Sequence, residues 1–339
     1  MRIAPALPVA LALALVAGAG ARPDLRPIVL TLHSGHVKKG TEKQLCYHRQ
    51  FPRDHDADVG RVEMKIHGGT HHVHLYRPHD GTLDYPPHEC PFAVDFSKWG
   101  LVAATQNPRL DWRLPPGVAL NFPARQPLMI QTHFVNTGAL ASKGDTRAKI
   151  ILHPVDSGTV QAHAGALFAQ DRLVVVPPGV STRTSPCALT GDPALHHEMN
   201  VIALTGHYHF RGVRFQVWHT AADGSRIGGP VYDHAGYADP EFKQFVPGEL
   251  VLQPGEGLEW ACTWENNTTQ TFKFGPNTQM NEHCNLFGFY YPSETPQEAV
   301  DCIRMNVMGA DGQPHEQNVR CGADGVTCPA NPPPAPAPK

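Results

Sequence analysis

The stretch Val201-Ile-Ala-Leu-Thr-Gly-His-Tyr-His-Phe210 alternates in polarity in the way that a β-strand does. His207 and His209 are two residues apart, so on a strand both imidazoles point to the same face. The side chains on the opposite face of this strand are predicted to pack in the core, and they are Ile202, Leu204, Tyr208 and Phe210. Arg211-Gly212 interrupts the alternation, which resumes at Val213 and so predicts a hairpin. The stretch therefore predicts a strand that offers two imidazoles to a metal ion.

Similar short alternating runs recur along most of the chain, separated by turns that contain many of its 33 prolines and 31 glycines. No long helical period is present. This pattern predicts an all-β protein with two tandem jelly-roll-like β-sandwich domains. We expect residues 22–160 to form the first domain and residues 161–328 the second, because turn and polar signals cluster near residue 160. The Pro/Ala-rich tail, residues 329–339, is expected to be disordered or extended.

Residues 1–21 have the pattern of a secretory signal peptide, with Arg2, an apolar run from about Val9 to Val16 and small residues up to Ala21. The apolar run is too short to span a bilayer, and no later segment approaches that length. We therefore expect a secreted or periplasmic protein without a membrane span. A net charge of −3, without a basic or acidic block, gives no indication of a nucleic-acid partner.

Cysteine and histidine usage narrows the chemistry further. Eight cysteines without a C-x-x-C pair, in an exported chain, favour disulfides over thiolate metal sites. The chain also contains 21 histidines, and imidazole is a ligand that suits copper or zinc. Four strand-like stretches concentrate them, and these stretches contain His71, His72 and His74; His133; His207 and His209; and His283.

Two interpretations of the first of these stretches stay open. Neighbours on a regular strand face opposite ways, so His71 and His72 reach one metal only if a bulge, helped by Gly68-Gly69, turns them together. Otherwise the pair is His72 and His74. An isolated histidine is more often a surface or hydrogen-bonded group than a ligand. Other metal motifs fail, since His197-Glu198 does not continue as the H-E-x-x-H of zinc proteases.

In order and spacing, the four stretches together resemble the copper type II, ascorbate-dependent monooxygenases, the family of peptidylglycine α-hydroxylating monooxygenase and dopamine β-monooxygenase. The resemblance extends from about Leu30 to Met305. It implies two jelly-roll-like domains, each binding one copper, that face each other across a solvent-filled cleft. By family position, the first copper is bound by His71, His72 and His133, and the second by His207 and His209 with one further ligand. Gln131 also matches the family.

The resemblance also implies a disulfide pairing: Cys46–Cys90, Cys187–Cys302, Cys262–Cys284 and, by remainder, Cys321–Cys328. Two departures concern the second copper and the substrate. His283 precedes Cys284 where the family has a methionine ligand, and we predict His283 as the third ligand, with Met280 as the alternative. Thr205, Asn285 and Phe287 stand at the positions that hold a peptide carboxylate in some members. Because no arginine is among them, we expect a less polar substrate.

The resemblance implies an exported enzyme that binds two coppers per chain and hydroxylates a C–H bond of a small organic substrate. O2 and a one-electron reductant such as ascorbate are its co-substrates, and His207, His209 and His283 surround the reacting centre. A water-filled space between the domains is expected for electron transfer. Two other interpretations stay open: a copper-binding or carrier protein without turnover, to which the histidine at position 283 lends weight, and a zinc protein.

Overall fold

The structure is a computed structural model that describes residues 24–67, 69–78, 88–90, 99–136, 145–188, 197–275, 277–296 and 299–319. The strands of the first half, up to residue 163, are β1 (Ile28–His36), β2 (Glu42–Gln50), β3 (Ala57–Ile66), β4 (Thr70–Pro78), β5 (His88–Glu89), β6 (Trp99–Thr105), β7 (Arg109–Arg113), β8 (Val118–Phe122), β9 (Pro127–Val135), β10 (Asp145–Val155) and β11 (Ala162–His163). One short 3-10 turn, Ser157–Thr159, precedes β11.

The strands of the second half, from residue 165, are β12 (Gly165–Asp171), β13 (Val175–Val176), β14 (Gly179–Ala188), β15 (Met199–His207), β16 (Gly212–Thr220), β17 (Tyr232–Ala235), β18 (Lys243–Gln244), β19 (Val251–Leu252), β20 (Gly257–Asn266), β21 (Phe272–Phe274), β22 (Asn281–Glu282), β23 (Asn285–Tyr291), β24 (Ala299–Met308) and β25 (Pro314–Val319). Throughout the described ranges there is no α-helix, so the all-β prediction is confirmed. Accordingly, these residues include no helix that is long and apolar enough to cross a bilayer.

The strands form five sheets. In the first half, sheet 1 has the order β1-β10-β3-β8-β11 with β7 on β3, and sheet 2 has the order β5-β2-β9-β4-β6. In the second half, sheet 3 has the order β18-β15-β23-β12-β24-β25 with β19 on β15, sheet 4 is β14-β20-β16-β17, and sheet 5 is β13-β21-β22. Among the described strands, every pairing stays within its half.

Sheet 3 is covered on both faces, which explains why β12 is buried along its whole length. One face contributes Leu167, Leu204 and Leu286 to a core shared with the tryptophans of sheet 4. The other face contributes Phe287 and Phe289 to the core of the first half. Burial of apolar surface on this second face joins the two halves.

The finer prediction of two tandem jelly rolls is not confirmed, because the sheets form a ring that resembles a four-bladed propeller. Contacts between the halves place sheet 3 against both sheets of the first half. The ring of Trp112, on β7 of sheet 1, lies 4.4 Å from that of Phe289 on sheet 3, between ring centroids. Sheet 2 also meets sheet 3, where the rings of His74 and Phe287 are 5.0 Å apart. The predicted signal peptide and tail lie outside the described residues.

Candidate metal centre

His207 and His209 lie at the end of β15, and the local geometry differs from the predicted continuous strand. β15 ends at His207, so His209 belongs to the turn that follows. A register shift between Val201 and Ala203 makes Ile202 face the first half, while Leu204 faces sheet 4. The prediction that Phe210 belongs to the core is wrong: it is 44% exposed, because the chain has already left the sheet. The two imidazoles still converge, with ring centroids 5.7 Å apart.

The turn that contains His209 and leads into β16 requires a glycine at position 212. A Cβ there would lie 1.5 Å from the ring of Tyr208, so only glycine lets this ring pack against the backbone. Tyr208 is fully buried, and its hydroxyl donates a hydrogen bond to the carbonyl oxygen of Gly236. The residue between the two histidines therefore anchors the turn in the core of the second half.

His71 and His72 lie at an irregularity in β4. The pairing with β9 shifts register between Thr70 and His72, as a β-bulge does, and Gly69 has a positive φ of 84°. The two adjacent rings are 5.3 Å apart and are 5.4 Å and 5.3 Å from the ring of His133. Of the two arrangements open from sequence, the structure has the bulge. His72 and His74 instead stack in parallel at 4.3 Å, which is poor geometry for chelating one ion.

The histidines of the two halves form a single cluster. The ring of His71 lies 5.1 Å from that of His207, and the rings of His209 and His283 are 4.4 Å apart. One nitrogen from each of His71, His207 and His209 lies within 4.8 Å of the other two. This corrects the expectation that a solvent-filled cleft separates the two sets of histidines. Here the apolar contacts of sheet 3 with the first half bring the two sets together.

Burial controls the protonation state of this cluster. Loss of solvent lowers the pKa of His71, His72, His207 and His283 well below the ordinary histidine value, and that of His209 to about 4. A neutral imidazole keeps the lone pair that a metal requires. Nε2 of His71 and Nδ1 of His72 are buried without a hydrogen-bond partner. A copper or zinc ion is a suitable partner for these two buried nitrogens, because both metals bind neutral imidazole.

Several imidazoles are oriented by their other nitrogen, as metal ligands usually are. Nδ1 of His207 is 2.6 Å from Oε1 of Gln106, and Nδ1 of His209 is 2.8 Å from the carbonyl oxygen of Asn281. Nε2 of His133 is 3.0 Å from a carboxylate oxygen of Glu42. In His207 and His209 these contacts use Nδ1, so Nε2 of each ring does not take part in them.

His283 belongs to the cluster, but its orientation differs from that of a third ligand. Nδ2 of Asn285 lies 3.1 Å from Nδ1 of His283, so in this amide orientation Nδ1 is the acceptor and Nε2 carries the proton. His283 is also absent from the group of three converging nitrogens among the described residues. The alternative ligand, Met280, is 47% exposed. His71 therefore shares the group of converging nitrogens with His207 and His209, and His283 lies beside that group.

The predicted substrate residues lie beside this cluster on sheet 3. Thr205 is directly opposite Phe287 on the neighbouring strand, and His207 is opposite Asn285. All three predicted residues are buried, and the ring of Phe287 lies 6.4 Å from that of His207. Their proximity to the imidazoles is what the family positions imply.

Three of the four predicted disulfides are present: Cys46–Cys90, Cys187–Cys302 and Cys262–Cys284. The third joins β20 to the residue after His283 and so fixes the chain beside the cluster. The predicted Cys321–Cys328 pair lies outside the described residues.

Sequence reasoning missed the residues that support the cluster from a distance. Gln106 and Glu42 belong to the first half, yet Gln106 binds His207, and Glu42 accepts a hydrogen bond of 2.5 Å from Oγ1 of Thr278 in the second half. Glu282 is fully buried next to His283 and accepts a hydrogen bond of 3.2 Å from the backbone nitrogen of His209. Of these three residues, only Glu282 could have been suspected from the sequence, because it directly precedes the predicted ligand His283.

Together, the fold and the cluster define an all-β protein with a candidate histidine metal centre. Residues 164–308 match the family model described as the C-terminal domain of copper type II ascorbate-dependent monooxygenases. The matched residues include His207, His209 and His283, so this part of the chain is similar to the copper-binding domain of that family. A search of curated proteins found no match.

Among solved structures, the chain is similar to PNGase F, a glycosylasparaginase from Flavobacterium meningosepticum. The two are 10% identical, with 80% of this chain and 98% of that chain covered, and the TM-score is 0.29. It is also similar to a putative secreted protein from Parabacteroides distasonis, at 7% identity, 78% and 89% coverage and a TM-score of 0.19. TM-scores this low support no conclusion about fold or function.

Proposed function

We propose that this protein is a copper-dependent monooxygenase that hydroxylates a C–H bond of a small organic substrate. The observation that carries the proposal is the buried histidine cluster, built from both halves of a chain whose second half matches the monooxygenase family model. The reaction would consume one O2, two electrons and two protons, and would yield the alcohol and water. Ascorbate, as a one-electron reductant, would be used twice per turnover.

Copper, when bound, supplies the one-electron redox chemistry and O2 activation that side chains lack. We propose two ions per chain, for which the ligands are His71, His72 and His133 from the first half and His207, His209 and His283 from the second. Participation of His283 requires that the amide of Asn285 turn, because its nitrogen now faces Nδ1. The chain's own contribution is to orient several of these imidazoles by hydrogen bonds and, through burial, to lower the pKa of His71, His72, His207, His209 and His283.

Glu42 has a supporting role at the first set of ligands. Although burial raises its pKa, the hydrogen bonds from His133 and Thr278 lower it overall, so it is a carboxylate that holds the proton on Nε2 of His133. Since Thr278 belongs to the second half, the same carboxylate also ties the halves together beside the cluster.

For the substrate, we propose a small molecule without a carboxylate at the recognition end. Thr205 stands where an arginine would form a bidentate pair with a carboxylate, and the nearby surface is the ring of Phe287 against that of Phe168, 5.0 Å away. Such a surface favours an apolar or aromatic group over a charged one.

We further propose that residues 22–160 and 161–328 are two structural units and that the protein is exported. The first proposal is supported by strand pairing, which crosses residue 160 only where the two-residue strand β11 (Ala162–His163) pairs with β8. The second is supported by three disulfides, which persist in oxidising compartments. Limited proteolysis of the intact chain, with cleavage concentrated near residue 160, would support the division.

The function is tested by measuring copper per chain and the 18O incorporated into product from 18O2 in the presence of ascorbate. A panel of small aromatic and aliphatic substrates is supplied. We expect two coppers per chain, and product formation that is lost in His207→Ala. The control is His219→Ala, on β16 of the same half, where Nε2 binds Glu256 at 2.7 Å instead of facing the cluster.

A copper-binding protein without turnover is the second candidate, favoured by the histidine that stands in place of the thioether ligand. An imidazole favours Cu(II) over Cu(I) compared with a soft sulfur ligand. Copper binding at full stoichiometry without labelled product from any substrate would support this candidate and reject the monooxygenase. Preference for zinc over both copper states would reject both.

A further inference from the structure

Gln106 connects the two halves at the histidine cluster. It follows β6 of the first half, and its side chain reaches two groups of the second half. Oε1 lies 2.6 Å from Nδ1 of His207, and Nε2 donates a hydrogen bond of 2.8 Å to the carbonyl oxygen of Tyr237. Gln106 is half-buried, so it is held by these two hydrogen bonds more than by packing.

The second contact determines the first. A backbone carbonyl only accepts hydrogen bonds, so the amide nitrogen of Gln106 must face Tyr237. Its oxygen then faces His207, and because an amide oxygen also only accepts, Nδ1 of His207 must carry the proton. The lone pair is left on Nε2. One amide thereby selects the tautomer of a predicted metal ligand.

The comparison with His209 shows what is specific to this arrangement. Nδ1 of His209 is oriented by the carbonyl oxygen of Asn281, which belongs to the same half. His207, by contrast, is oriented from the other half. Gln106 also borders a cavity of about 160 Å³ between the halves, together with His71 and Tyr237. The direction of the His207 lone pair therefore depends on how the halves meet.

We propose that Gln106 is a positioning residue that holds His207 in the tautomer with Nε2 available for metal, and that it does so only while the halves are in contact. The proposal uses the ligand role of His207 from the proposed function. The tautomer is measured in the metal-free protein, so the two can fail separately.

The experiment uses the full chain with 15N-labelled histidine, metal-free at neutral pH, and assigns the proton on each ring by long-range 1H–15N correlation. In the wild type we expect His207 to be protonated at Nδ1. Gln106→Leu removes the acceptor, and we expect Nε2–H to appear at His207. Gln106→Glu restores an acceptor without the donor to Tyr237, and we expect Nδ1–H to return.

The matched control is Gln244→Leu. Gln244 also spans the halves, accepting from the backbone nitrogen of Arg113 at 3.3 Å and donating to the carbonyl oxygen of Asp111 at 3.4 Å, but neither of these contacts involves a histidine. We expect this variant to keep the wild-type tautomer. An equal change in both leucine variants would overturn the proposal, since it would reflect general loosening of the contact between halves.

Copper affinity provides a second readout. By titration with Cu(II) alone, Gln106→Leu should bind about 10–100-fold more weakly, the usual cost of losing an outer-sphere partner. Gln106→Glu should recover most of this loss. A persisting Nδ1–H tautomer, or unchanged affinity, in Gln106→Leu would overturn the proposal. If the tautomer and affinity change as expected but no product forms with any substrate, the proposal stands and the monooxygenase function fails.

Discussion

Of the three histidines whose nitrogens converge, His71 is the one that belongs to the first half. Its Nε2 is buried without a hydrogen-bond partner, and one of its nitrogens converges with those of His207 and His209. An unsatisfied buried nitrogen costs free energy that a metal bond would recover. The bulge in β4 creates this position, because a regular strand would turn His71 away from His72.

Replacing His71 therefore tests whether it binds metal. We expect His71→Ala to weaken Cu(II) binding by more than the roughly 10–100-fold typical of an outer-sphere change. The control is His153→Ala on β10, where the imidazole binds Glu63 at 2.8 Å away from the cluster. Isothermal titration of both variants gives the comparison. Wild-type affinity in His71→Ala would show that the halves do not share this residue as a ligand.

At the scale of elements, a buried ion pair holds the turn after β15 against the segment before β23. Glu282 accepts hydrogen bonds from Arg211 at 3.1 Å, from Nε1 of Trp264 at 3.1 Å and from the backbone of His209. Arg211 in turn covers the ring of Phe272, 3.4 Å from its centroid. Burial raises the pKa of Glu282 to about 7 against the opposing effect of Arg211. The pair thus fixes His209 relative to His283.

Breaking this pair from one side should be costly. We expect Arg211→Met to lower the free energy of unfolding by about 3–5 kcal/mol, because a buried carboxylate loses its partner. Arg211→Met combined with Glu282→Gln should recover part of the loss, since no charge remains buried. Arg214→Met, which breaks the exposed pair with Asp233, should change stability much less. Urea denaturation measures all three, and equal effects of both single variants would contradict the role of the buried pair.

At the scale of the whole molecule, the histidine cluster links stability to pH. In the folded protein, burial lowers the pKa of His209 to about 4 and that of His74 to about 3, while in the unfolded chain both titrate near 6.5. Below pH 6.5 the unfolded chain binds more protons than the folded one, so stability falls as the pH falls. The contribution of Glu282 to stability changes in the opposite direction between about pH 4.5 and 7: it increases as the pH falls, because the pKa of Glu282 is raised in the folded protein. Six histidines have a lowered pKa in the folded protein, against this one glutamate, so their effect on the pH dependence of stability dominates.

We therefore expect the Tm of the metal-free protein to fall steadily between about pH 6.5 and pH 4, as measured by calorimetry. His74→Gln should reduce the slope of unfolding free energy by up to about 1.4 kcal/mol per pH unit, because one titrating group is removed. His74 stacks on His72 and is outside the group of converging nitrogens, so the substitution spares the predicted ligands. A slope that is flat in the wild type would contradict burial of neutral imidazoles.

The sequence by itself determined what depends on local spacing. Turn residues and alternating runs predicted an all-β chain, and the resemblance predicted three disulfides that the structure contains. The six predicted ligands all belong to one buried cluster: His71, His72, His133 and His207 lie on strands, and His209 and His283 lie within two residues of a strand end. The bulge at His71 was only one of two alternatives, since strand parity alone cannot place an extra residue.

Tertiary structure alone decided how the two histidine sets meet and what orients them. Gln106 contacts His207 from 101 positions away in the chain, and Glu42 contacts Thr278 from 236 positions away. No periodicity encodes such pairs, because they depend on which sheet faces come together. The ring of sheets, in place of tandem jelly rolls, also depends on contacts between residues far apart in the chain, because the face of sheet 3 that contains Phe287 and Phe289 is buried in the core of the first half.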